Sequence, residues 1–216
     1  MLKYSVILFD LDGTLIETGP AIFASVKGMM DELGLPPISE ESMRSLIGPP
    51  LNVGFAEYMG LNGRMLEEAI RIYRLKAEGS ALSLARPYPG VEDLLKSLKE
   101  AGATVGVVTS KITGIAKQHL ERFGLRRWID LIQGATDGGI GEKTELLMLA
   151  LKSLGMPDGA VMIGDRHYDL NAARAAGIPA IGVSYGYGSA DEIASCAPDY
   201  TAASARELGQ ILFGGK

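Results

Sequence analysis

The segment Asp10-Leu11-Asp12-Gly13-Thr14-Leu15 sets two carboxylates two residues apart, directly after an apolar run and directly before a glycine. Other chemically capable groups follow at Thr109-Ser110-Lys111, at Lys143, and at Gly164-Asp165-Arg166-His167-Tyr168-Asp169. In open α/β sheets ligands gather outside the carboxyl ends of the strands, so residues that follow strands are read as one set. Four carboxylates meeting at one sheet edge, Asp10, Asp12, Asp165 and Asp169, would repel one another. Two unit charges ~4 Å apart at an effective dielectric near 20 interact at about 4 kcal/mol. A bound cation removes that cost. An oxygen-only ligand set favours a hard ion, and Mg2+ takes one or two carboxylates together with water and substrate phosphate. Lys143 and the Thr109 hydroxyl then stand where a phosphate dianion needs a point charge and a donor. The set describes a phosphoryl site.

The spacing of the first pair carries more. If Asp10 ends a strand and the chain turns at Leu11, both carboxylates face one pocket, one as nucleophile and the other as proton donor and acceptor. Gly13 permits the tight turn. A carboxylate nucleophile divides ester hydrolysis into formation and hydrolysis of an acyl phosphate. The uncatalysed reaction is so slow that enzymes reach up to ~10²¹-fold acceleration, a demand that accounts for many aligned groups.

The elements that must position these groups follow from periodicity. Tyr4 to Asp10, Ala103 to Thr109, Ala160 to Gly164 and Pro179 to Val183 are short apolar runs ended by polar or glycine punctuation, and read as buried parallel strands. Helical periods separate them at Gly90 to Ala101, Thr113 to Phe123, Lys143 to Leu154 and Asp169 to Ala176, with Gly177 as a C-terminal cap. Alternation of strand and helix predicts an α/β fold with a mostly parallel, doubly wound sheet. One stretch breaks the alternation. Ala21 to Leu33, Glu40 to Leu46, Leu51 to Met59 and Gly63 to Gly79 show only helical periods, which predicts an all-helical insert. The expected division is a core of residues 1–16 and 86–216 and a helical unit of residues 17–85. Arg86-Pro87-Tyr88-Pro89-Gly90 is expected as a semi-rigid bend at the exit, and Gly134 to Gly141 as a turn.

Composition agrees with this. The chain has 216 residues, 47% hydrophobic and 22% charged, enough for a sizeable core in one domain with an insert. A formal charge of −5 argues against a partner such as a nucleic-acid polymer. The single cysteine, Cys196, excludes an internal disulfide and a cysteine metal cluster. The first apolar run is too short for a signal-peptide core and no run reaches the ~20 apolar residues of a membrane helix, so a soluble cytoplasmic protein without membrane partners is expected, as monomer or homodimer.

These motifs, in this order and spacing over nearly the whole chain, resemble the haloacid dehalogenase-like phosphohydrolases. Asp10-Leu11-Asp12-Gly13-Thr14-Leu15 resembles the first family motif, Thr109-Ser110 the second, Lys143 the third, and Gly164-Asp165 with Asp169 the fourth. The resemblance implies Asp10 as nucleophile and metal ligand, and Asp12 as general acid and base whose backbone carbonyl also touches the metal. It implies Asp165 and a supporting Asp169 for Mg2+, and Thr109, Ser110 and Lys143 for the transferring phosphoryl group. The helical insert resembles the small cap of the phosphoglycolate phosphatase and phosphoglucomutase-like branch. Ile47-Gly48-Pro49-Pro50-Leu51 and Gly182 to Gly188 are similar to bacterial phosphoglycolate phosphatases and 5′-nucleotidases. Lys143 is followed by Thr144-Glu145-Leu146 where many phosphoglycolate phosphatases carry prolines, which leans toward a nucleotidase-like or broad range of small phosphorylated metabolites.

Blander readings stand beside these. A bare D-x-D-x-T triplet is a weak signal, and it gains weight only from the other motifs in order. Lys111 reads as a solvated lysine or a site residue, and His119 and His167 as structural or exposed. Arg44, Arg64 and Arg74 read as solvated helix faces or contacts to a remote substrate anion. The Gly48-Pro49-Pro50 loop is either a linker or a stiff platform that offers Gly48 and its neighbours to substrate. Rival chemistries are a sugar phosphomutase, a dehalogenase and a phosphonate hydrolase. The last two typically lack an acid two residues after the nucleophile, so Asp12 speaks against them. A non-catalytic binding module would be expected to have lost one of Asp10, Asp12, Lys143 or Asp165, and all are present.

Overall fold

A computed structural model of the chain describes residues 1–78, 80–136 and 141–214. The strands are β1 (Val6–Phe9), β2 (Ile16–Glu17), β3 (Arg86–Pro87), β4 (Thr104–Ile112), β5 (Leu131–Ala135), β6 (Ala160–Gly164), β7 (Ala180–Val183) and β8 (Tyr200–Ala202). Six of them form one sheet in the order β5-β4-β1-β6-β7-β8, and every neighbour pairs parallel. The helices are α1 (Gly19–Leu33), α2 (Glu40–Ser45), α3 (Leu51–Met59), α4 (Gly63–Glu78), α5 (Val91–Glu100), α6 (Thr113–Arg122), α7 (Lys143–Ser153), α8 (His167–Ala176), α9 (Ala190–Ser195) and α10 (Ala205–Leu212).

Alternation along β1 explains why both faces of the sheet are covered. Ile7 and Phe9 join a core with Leu94, Leu95 and Leu98 of α5, Leu120 of α6 and Leu208 of α10. Val6 and Leu8 join a second core with Leu146, Leu147 and Leu151 of α7 and Leu170 of α8. Helices on both faces of a parallel sheet make the doubly wound α/β architecture. β1 lies between β4 and β6, with Phe9 opposite Val107 on one side and Ile163 on the other. Strand order reverses around β1, and that switch point is where such sheets hold ligands.

Helices α1 to α4 lie between β2 and β3 and bury their own cluster, including Val26, Met29, Met30, Leu46, Phe55, Ile72 and Tyr73. Phe55 and Tyr73 meet edge to face, with ring centroids 5.6 Å apart. The spacing of Val26, Met29 and Met30 on α1 is the i, i+3, i+4 stripe that a helix presents to one partner. α4 is described through Glu78, so the expected end at Gly79 lies outside the described residues.

The structure differs from the sequence reading at short elements. Arg86–Pro87, expected as a bend, forms β3 and pairs antiparallel with β2, Ile16 opposite Pro87 and Glu17 opposite Arg86. A ribbon of two residues per strand leaves the missing proline N–H outside any ladder. β4 runs past Thr109 to Ile112, with its register against β5 shifted between those residues. β5, β8 and α9 carry no strong run or period, whereas α10 buries Ala205, Leu208 and Leu212 along one helical face, a period that the strand-and-helix reading of the sequence does not include. β5 is an edge strand that includes Gln133 and Gly134, and β8 has three residues, two of them exposed. The glycine-rich turn expected from Gly134 begins inside β5, and its residues 137–140 lie outside the described residues. Cys196 is buried in the second core.

Candidate active site

Asp10 follows the buried strand β1 directly and is itself buried. Its N–H donates to the Ile163 carbonyl at 2.8 Å, which continues the β1–β6 ladder one residue further and fixes the carboxylate at the strand end. Lys143 opens α7, and its Nζ lies 2.5 Å from Asp10 Oδ1 and 2.9 Å from Asp169 Oδ1. The same ammonium donates to the Val108 carbonyl at 3.1 Å. Asp169 sits in the first turn of α8, where its Oδ2 accepts from the Arg166 N–H at 3.2 Å and so helps to cap that helix. Asp165 is fully buried between β6 and α8, and its Oδ2 accepts from the Tyr187 N–H at 2.7 Å.

The carboxylates of Asp10, Asp165 and Asp169 all lie within 4.8 Å of one another. Burial pushes the pKa of Asp10 up to about 7, against the pull of Lys143, with the charges of Asp169 and Asp12 adding to the rise. Burial, together with the charges of Asp10 and Asp169, pushes Asp165 well above the ordinary carboxyl range. Burial opposes the charge on Lys143, but Asp10 and Asp169 hold it above its ordinary value. One ammonium therefore stands among three buried acids and pairs with two of them. An oxygen-only cluster of this kind fits a hard divalent cation. Gly13 makes the approach possible. Its φ is +96°, and a Cβ there would run into the Asp165 carboxylate and the Tyr187 ring.

Asp12 stands apart from the triad. Its carboxylate is held by Lys111, whose Nζ lies 2.8 Å from Oδ2 and 2.9 Å from Oδ1. Burial works to raise the Asp12 pKa, but Lys111, His119 and Thr18 bring it below its ordinary value. Lys111, read from sequence as solvated or functional, is thus largely buried against Asp12, and its N–H donates to Thr109 Oγ1 at 3.2 Å. Lys111 lies within the register shift of β4 against β5, between Thr109 and Ile112.

Asp10, Asp12, Thr109, Ser110 and Lys111 open into a cavity of about 330 Å³ whose other walls come from α1, α4 and the Ile47-Gly48-Pro49-Pro50 loop. Gly48 is among the lining residues, at φ +113°. His119 also lines the cavity. It is buried rather than exposed, and burial with the charges of Lys111 and Arg122 pushes its pKa down to about 4. Arg44 and Arg64 are exposed and outside the cavity lining, whereas Arg74 lines it. His167 Nδ1 lies 2.7 Å from Glu192 Oε1. Sequence reasoning missed Arg166, which donates from Nη1 to the Ile47 carbonyl and from Nε to Glu192 Oε1 at 2.8 Å. This ties the α8 start to the helical insert. An arginine inside the Gly164-to-Asp169 motif was the only available signal.

The chain belongs to the haloacid dehalogenase-like hydrolases, whose family pattern matches residues 7–183. It is 35% identical to a 5′-nucleotidase of Pseudomonas aeruginosa over 98% of this chain and 96% of that protein. It is 36% identical to the tyrosine-protein kinase PtkA of Mycobacterium tuberculosis over 87% of this chain, and spans 65% of that relative's length. The crystal structure of a predicted phosphatase from Clostridium acetobutylicum superposes with a TM-score of 0.92 at 36% identity, covering 98% of this chain and 99% of that one.

Proposed function

We propose that the protein is a Mg2+-dependent phosphomonoester hydrolase acting on a small phosphorylated metabolite, with residues 17–85 as a cap over the site. The observation that carries this reading is the buried triad of Asp10, Asp165 and Asp169 around Lys143, of which Asp10 lines a cavity together with Asp12, Thr109 and Ser110. Asp10, Asp165 and Asp169 would hold Mg2+, with the Asp12 carbonyl as a further oxygen ligand. When bound, Mg2+ supplies positive charge that stabilises the transferring phosphoryl oxygens.

A carboxylate oxygen of Asp10 forms a bond to phosphorus as the ester P–O bond breaks, leaving an aspartyl phosphate. Asp12 passes a proton to the departing alkoxide. Lys111 keeps Asp12 ionised in the free site, so that proton enters with a substrate monoanion, whose second ionisation lies near pH 6. A water molecule then attacks phosphorus, Asp12 takes its proton, and Asp10 is released with inorganic phosphate. Thr109 and Ser110 donate hydrogen bonds to the phosphoryl oxygens, and Lys143 offsets their charge. The cap and the Gly48 loop exclude bulk water, which strengthens these interactions.

Cavity size favours a substrate larger than a two-carbon phosphate ester. A volume of about 330 Å³ reaches the ~300–1,000 Å³ range of pockets that enclose drug-sized ligands, more than a two-carbon phosphate ester fills. The test is phosphate release from p-nitrophenyl phosphate with Mg2+. Asp10→Asn is expected to lower it by several orders of magnitude, on the scale seen when other covalent catalysts lose their nucleophile. Undiminished turnover would overturn the assignment, and transfer of phosphate to a second sugar hydroxyl instead of water would identify a mutase.

A further inference from the structure

One charged group in the cavity has no task in the fold. Arg74, on α4, lines the cavity that holds Asp10, Asp12 and Thr109. Its Nε is buried with no hydrogen-bond partner, and among the described residues no ion pair joins its guanidinium to a carboxylate. Its neighbours on the same helix are matched: Arg71 pairs with Glu68 at 2.6 Å and Lys76 with Glu32 at 2.7 Å. Apolar side chains share the lining with Arg74, Ile22 of α1, Ile70 of α4 and Leu82 among them. A guanidinium that is partly withdrawn from water without a partner forfeits hydration and receives nothing from the protein in return. It is always charged and its planar fork matches a carboxylate or phosphate in two parallel hydrogen bonds.

We infer that Arg74 is a specificity-determining residue, and that the substrate is a phosphomonoester carrying a second anionic group away from the reacting phosphate, received by the Arg74 guanidinium. This rests on the phosphomonoesterase reading. Asp10 and Lys143 address the reacting end, and Arg74 addresses the other end from the cap side. The body of the substrate lies against Ile22, Ile70 and Leu82, whose apolar surface suits a carbon chain or ring. The second anion is a carboxylate or a phosphate, because the fork accepts both.

The test compares three ester series of matched chain length: alkyl phosphates, ω-carboxyalkyl phosphates and alkanediol bisphosphates. For the wild-type enzyme with Mg2+, kcat/KM is expected to favour one anion-ended series over the neutral ester by roughly 10–100-fold at a preferred length, the range that a charge-assisted hydrogen bond supports. Which series is preferred tells carboxylate from phosphate. In Arg74→Gln that ratio is expected to fall toward one, mostly through KM, while Arg74→Lys keeps part of it. A wild-type enzyme that treats neutral and anion-ended esters alike, or an Arg74→Gln variant that keeps the preference, overturns the inference. If the wild type hydrolyses the neutral esters but shows no preference, only the role of Arg74 falls. If it hydrolyses none of the three series, the phosphomonoesterase reading falls with it.

Discussion

Lys143 Nζ lies 2.5 Å from Asp10 Oδ1, a contact between residues 133 positions apart that joins the end of the central strand to the start of α7. Both groups are buried, and breaking such a pair from one side typically costs about 3–5 kcal/mol. The lysine is shared with Asp169 and leaves Asp165 without a counter-ion of its own among the described residues.

Stability of the metal-free protein should therefore depend on pH in a definite direction. The folded Asp10 pKa of about 7 lies above the unfolded value near 3.9. Its favourable contribution is thus complete below about pH 4 and is lost as pH rises through 7. Asp165 is displaced in the same direction. In EDTA, the urea midpoint is expected to fall between pH 5 and pH 8, and saturating Mg2+ should restore it by mass action. Equal midpoints at the two pH values in EDTA would contradict the charge assignment.

Asp165→Asn should separate stability from ion binding. An amide keeps an oxygen for the Tyr187 N–H and cannot ionise, so the metal-free variant is expected to gain stability over the wild type as pH rises. The stabilisation produced by Mg2+ should at the same time largely vanish. Chemical denaturation with and without Mg2+ measures both quantities.

Lys111→Met should displace the pH–rate profile. Lys111 is the strongest charge holding the Asp12 carboxyl below its ordinary value, so its removal lets that carboxyl titrate at higher pH. In the proposed mechanism Asp12 is ionised when it accepts the proton of water, so the acid limb of kcat is expected to move upward. The rate at pH 6 should fall by about 10–100-fold, a partial loss of the ~10²–10⁴-fold that general acid–base catalysis supplies. Lys111→Arg, which keeps the charge, should hold the limb near its wild-type position.

The sequence displayed the chemistry better than the geometry around it. Asp10, Asp165 and Lys143 sit where strands and helices meet, and the apolar runs before Asp10 and Asp165 are long enough to mark those junctions. Lys111 reads as an ordinary lysine after a strand because the β4 register shift in which it lies has no local signature. Arg44, Arg64 and Arg74 are alike in a helical period, and only the packing of α4 against α1 places one of them on the cavity wall. Arg166 escaped for a similar reason, since its partner is the carbonyl of Ile47, far away in the chain. β8 and the β2–β3 ribbon are too short for any run of apolar residues to announce them, and they form because longer elements hold their ends together.

The β2–β3 ribbon sets Ile16 opposite Pro87, so the chain leaves the core and returns to it at adjacent points. Paired strands lie about 4.8 Å apart, a gap that a short turn can bridge. The sheet then meets the same boundary whatever polypeptide connects those two points. This makes the junction a natural place for exchange: one catalytic scaffold can accept differently shaped inserts and with them different substrates, without renegotiating the strand order that carries its carboxylates.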